Sequence, residues 1–95
     1  VALTVADFLA AFPEFQDAPP ALLQTTLSRA INYCPDSVWG QGSDMQQEGV
    51  FLYCARFLAL QPFGRKMNLV KDGKTSYDVD LQRVKYIVTA GLRFT

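Results

Sequence analysis

The chain contains no histidine. It therefore has no side chain whose ordinary pKa places a general base near pH 7, and nothing to complete a Ser-His or Cys-His nucleophile pair. Its two cysteines, Cys34 and Cys54, stand in apolar surroundings at a spacing that fits neither a CxxC pair nor a zinc site. Buried free thiols in a reducing compartment are the expectation. A Gly-rich phosphate loop, a GxSxG elbow and an HExxH pair are all missing. No apolar run reaches the roughly 20 residues that a bilayer span needs, so no membrane association is expected. The opening VALTVADF lacks a basic region followed by an apolar stretch and a cleavage site, and no export signal is expected. These absences argue against an enzyme, and no catalytic, cofactor-binding or metal-ligating residue is assigned.

What is present is apolar and helical. Hydrophobic residues make up 49% of the 95 and charged ones only 19%, which describes one small globular domain, residues 1–95, rather than a disordered chain. Seven Phe, four Tyr and one Trp are many for so small an interior. Some of them suit a contact surface, the alternative being a generous core with a few exposed rings. The stretch SDMQQEGVFLYCARFLAL, residues 43–60, reads as the central helix. Ser43 with Gln46 three residues on forms a capping box, and from Val50 to Leu60 only Arg56 is polar. A helix apolar on nearly every side needs cover all round.

The other pieces follow from local signals. Thr4 with Asp7 starts a short first helix whose Val5, Phe8, Leu9 and Phe12 share a face, and Pro13 ends it. Phe15 is expected in the core. Pro20 opens an amphipathic second helix, with Leu23, Leu27, Ala30, Ile31 and Cys34 on one stripe and Thr25, Ser28, Arg29 and Asn32 opposite. Between Pro35 and Gly42 there is room only for a turn or one short helical turn, with Trp39 plugging an end of the core. Gln61, Pro62, Phe63 and Gly64 break the helical pattern. Asp72-Gly73, flanked by weak strand signals, marks a hairpin or extended loop. Asp78 and Asp80 favour the start of a last helix whose inward stripe is Leu81, Val84, Val88 and Leu92, with Gly91 able to close it. Two residues apart on a helix, those carboxylates point in different directions, so helix initiation explains them better than joint acid-base work. Val79, Tyr86 and Ala90 lie on a second side that suits an intermolecular contact. The expected fold is all-α, a small bundle of about four helices with an extended loop or hairpin before the last.

Charge is divided along the chain. Residues 1–50 carry six acids and one base, Arg29, whereas residues 51–95 carry eight bases and three acids. That polarity suits head-to-tail self-association, the alternative being neutralisation within the molecule. The segment from Arg65 to Tyr77 is the basic one: Arg65, Lys66, Lys71 and Lys74 alternate with Met67, Leu69 and Val70, apolar side chains that a short hairpin has little core of its own to bury.

The order of pieces, TVADFLAAFPEF, a Pro-led amphipathic helix, a Trp-Gly turn, an apolar helix ending LALQPFG, then LVKDGKTSYDVDLQRVKYIVTAGLRF, resembles the small α-helical head-tail connector proteins of tailed bacteriophages, also called adaptor or head-completion proteins. The likeness spans nearly the whole chain and is strongest over residues 4–15, 50–64 and 69–93. It implies a homo-oligomeric ring, often a dodecamer, below the portal protein. Such a ring extends the DNA channel with non-specific DNA contact and offers a surface to the next neck or tail-completion protein. It also implies residence in the virion neck, and in the host cytoplasm during assembly. The expected subunit or portal interface comprises Arg65, Lys66, Met67, Leu69, Val70, Lys71, Lys74 and Tyr77 of the loop, Val79 and Tyr86 of the last helix, and Phe94 of the tail. The competing expectation is a small nucleic-acid-binding regulatory protein that uses the basic loop.

Overall fold

A computed structural model describes residues 3–89. The first helix, α1 (Val5–Ala11), begins where Thr4 Oγ1 accepts the Asp7 N–H at 3.1 Å. Pro13 cannot continue the helix, and the chain tightens into a 3-10 turn over Pro13–Phe15. Phe8 and Phe15 are fully buried, their rings stacked at 5.7 Å, and Phe8 meets Phe51 edge-on at 5.6 Å. The N-terminal segment is thus clipped to the centre by aromatic packing.

Helix α2 (Pro20–Asn32) has proline at its first position, where the missing N–H is not needed. Leu23, Leu27 and Ala30 face inward with Cys34 just beyond, while Thr25, Ser28, Arg29 and Asn32 are exposed. The single turn α3 (Asp36–Trp39) buries Trp39 against Gly49. The long helix α4 (Asp44–Leu60) is capped by Ser43 Oγ, which accepts the Gln46 N–H at 3.0 Å. Gln46 does not return the bond to Ser43 as a capping box would. Its Oε1 accepts the Gly42 N–H at 2.9 Å instead. From Gly49 to Ala59 every residue but Arg56 is buried, and α2, α3 and a further helix at the end of the chain all pack against this one.

The expected break at residues 61–64 is only partial. After a bend at Gln61 the chain winds one more short helix, α5 (Pro62–Lys66), against the end of α4. Two-residue strands β1 (Val70–Lys71) and β2 (Lys74–Thr75) then pair antiparallel, Val70 with Thr75 and Lys71 with Lys74. Asp72 and Gly73 have φ of 54° and 76°, the double left-handed pair that a two-residue hairpin turn requires. Helix α6 (Asp78–Thr89) lays Leu81, Val84 and Val88 on α4. The expectations for Ala90, Gly91, Leu92 and Phe94 lie outside the described residues. The four helices of seven residues or more, with a hairpin before the last, form the all-α bundle that the sequence predicts. Among the described residues no helix is long and apolar enough to cross a membrane.

Candidate functional site

The hairpin and the start of α6 are held to α4 by one carboxylate. Asp78 Oδ1 accepts from Arg56 Nε at 2.8 Å and from the Thr75 hydroxyl at 3.2 Å, and its Oδ2 accepts the Thr75 N–H at 2.9 Å. Arg56, the lone polar residue in the apolar run, is thereby neutralised where α4 passes under the hairpin. Burial pushes the Asp78 carboxyl up, but the Thr75 amide, the Arg56 guanidinium and the Thr75 hydroxyl outweigh it and hold the group below its ordinary value.

Tyr77 closes the other side. Its hydroxyl donates to Glu14 Oε2, and its ring lies edge-on to Phe12 at 5.6 Å and tilted against Phe15 at 5.9 Å. Burial, and then the adjacent Glu14 carboxylate, push the phenol well above its usual range. Tyr77 is a core residue, only 6% exposed, and not part of an open contact surface as the sequence suggested. The reason is that the N-terminal clip, far away in sequence, supplies its aromatic and polar partners.

The structure also corrects the reading of the loop. Leu69 and Val70 are half-buried and pack on the molecule's own core, so the hairpin does have an interior to enter. Met67 remains exposed, as do Lys66, Lys71 and Lys74. Arg65 falls within α5 rather than in a loop. On α6, Val79 is 77% and Tyr86 65% exposed, seven residues apart and hence on one face.

Of the predicted interface residues, Lys74 and Val79 are brought to one feature. They edge an open groove of about 710 Å³ between α4, the hairpin turn and α6, with Tyr53, Arg56, Gln82 and Lys85 also on its walls. A smaller cleft of about 320 Å³ opens between α1, α4 and α6, where Phe12, Phe51 and Leu52 give an apolar floor and Glu48 and Asp80 an acidic rim. Arg83 reaches over that rim, 3.8 Å from Glu48 and 3.7 Å from Asp80.

An aromatic cluster absent from the sequence reading borders the larger groove. Tyr33, 47% exposed, packs on Tyr53 and Phe57 with centroids at 5.0 and 5.2 Å, and Arg29 lies 4.2 Å over the Phe57 ring. Among the described residues no cluster of three or more His, Cys, Asp or Glu side chains could hold a metal. Cys34 and Cys54 are buried free thiols that burial pushes up to about 12, far from the thiolate state that chemistry would need. The arrangement places cationic side chains and exposed apolar ones beside a braced helix. No family model, no curated protein and no solved structure matches the chain.

Proposed function

We propose that the protein is a structural connector of a tailed-phage neck, a subunit of a ring that sits below the portal, continues its DNA channel and joins head to tail. The observation that carries this reading is the braced projection of α6. A short helix presenting Val79 and Tyr86 to solvent is fixed to the core by Asp78 and by the buried Tyr77, the construction of a contact element rather than of a solvated one. Two large apolar side chains on one exposed helix face suit a contact with a partner surface. The resemblance in sequence order over residues 4–15, 50–64 and 69–93 supplies the phage context.

Negative-stain microscopy of the purified chain, alone and mixed with portal rings, tests the reading. Rings, or an added layer of density on the portal, are expected. A chain that neither self-assembles nor decorates portals is not a connector. If it instead shifts duplex DNA as a monomer, with affinity falling steeply in salt, the exposed Lys66, Lys71 and Lys74 are a nucleic-acid contact and the regulatory reading replaces this one.

A further inference from the structure

Helix α6 lies on α4 as a ridge with a depression on each flank, and the two flanks differ in charge. On one side, Arg56, Lys74 and Lys85 stand against the single carboxylate Asp78. On the other, Glu48 and Asp80 stand against the single guanidinium Arg83. At about 100° per residue, Gln82 and Lys85 are carried to the opposite side of α6 from Asp80, while Leu81, Val84 and Val88 face α4. The crest between the flanks holds Val79 and Tyr86.

We infer that these flanks are the two halves of a head-to-tail contact between copies of this chain, the basic flank of one α6 ridge lying against the acidic flank of its neighbour's. The inference rests on the self-assembling reading above and adds the faces that meet. The two surfaces are unlike and lie on opposite sides of one helix, so the contact is heterologous. Each subunit keeps one unused flank after pairing, and the chain of contacts closes only as a ring or continues as a filament. Charge complementarity names a second copy as the occupant. The acidic cleft has an apolar floor, Phe12, Phe51 and Leu52, and Val79, on the crest, borders the groove that carries Lys74 and Lys85. The exposed Val79 side chain at the edge of the basic groove thus has an apolar floor to meet on the neighbour's acidic flank.

The test uses three versions of the full chain: the parent, K74E/K85E, which makes both flanks acidic, and E48K/D80N, which makes both basic. All four substituted side chains are exposed, and thermal melts check that each variant folds. In sedimentation velocity at low salt the parent is expected to associate with rising concentration, and less so at high salt. Each variant alone is expected to stay monomeric, and the equimolar mixture to associate again, because only then do unlike flanks meet. A loss that came merely from damaged folding would not be rescued by mixing. Should E48K/D80N melt well below the parent, Gln82→Glu provides the second probe, placing a carboxylate on the basic flank, and it too is expected to weaken association.

Association of either double variant equal to the parent's, a mixture no better than its components, or a parent that remains monomeric at millimolar concentration would each overturn the contact. Portal binding separates this from the broader reading. A monomeric parent that still decorates portal rings leaves the connector and removes the contact, whereas flank-dependent association without portal binding does the reverse.

Discussion

Asp78 concentrates more of the molecule's polar organisation than any sequence pattern announces. Ionised, it accepts from Arg56, from the Thr75 hydroxyl and from the Thr75 N–H, and its carboxyl is held below the ordinary value. A depressed pKa means that the stabilisation is complete above the unfolded-state carboxylate range and is lost as pH falls through the folded-state value. Urea melts are therefore expected to lose stability below about pH 4, with a flatter acid limb in Asp78→Asn, and Asp78→Ala should cost about 2 kcal/mol at pH 7. Gln46 is the second such residue. Its Nε2 donates to the Cys34 carbonyl at 3.0 Å and to Asp36 Oδ1 at 2.6 Å, while its Oε1 accepts from Gly42. Gln46→Leu keeps the volume but leaves the buried Cys34 carbonyl bare. Denaturant titration should show a loss of about 1 to 3 kcal/mol for each group so orphaned. Arg56 was visible in the sequence as a lone charge in an apolar run. Its partner was not, because Asp78 lies 22 residues on and meets it only once α6 has docked.

The elements that the sequence revealed are those decided within a few residues. Thr4 and Ser43 cap helices, Pro20 opens one, and Asp72-Gly73 sets the hairpin, because each signal acts on its own neighbouring backbone. The nearly unbroken apolar run of α4 likewise announces its central place. What the sequence could not separate was an own core from a partner's. Leu69 and Val70 read as apolar either way, and only the packed structure places them against the molecule's interior. The junction of α3 with α4 shows how tight that packing is. A Cβ added at Gly49 would sit 2.5 Å from the Trp39 ring, and a buried indole has few rotamers to retreat into. Gly49→Ala is expected to destabilise by about 1 to 3 kcal/mol through overpacking, although alanine has the higher helix propensity. Trp39 fluorescence should move to the red as the ring is displaced, and an unchanged spectrum with unchanged stability would show that the pocket has slack.

At the scale of the whole molecule, the two flanks of α6 were legible only in part: the helical period separates Asp80 from Gln82 and Lys85, and the two halves of the chain differ in charge. Which charges of α4 and the hairpin join each flank, Glu48 on one and Arg56 and Lys74 on the other, depends on how α6 docks, and no local rule sets that. The bond from Tyr77 to Glu14 joins residues 63 positions apart, and with Phe12 and Phe15 around the same ring it ties the N-terminal segment and the end of the hairpin into one cooperative unit. Neither can open alone without stripping the other. In native-state hydrogen exchange the amides of residues 8–15 and 74–81 should therefore open with a common free energy, lower than that of α4. Tyr77→Phe should accelerate both sets together while leaving α2 unchanged. Independent acceleration of the hairpin alone would show that the clip stands by itself. Because the Tyr77 contacts need residues 63 positions apart, whereas Phe8 already meets Phe51 of α4, a chain emerging from the ribosome is expected to dock its N-terminal segment on α4 before Tyr77 locks it there.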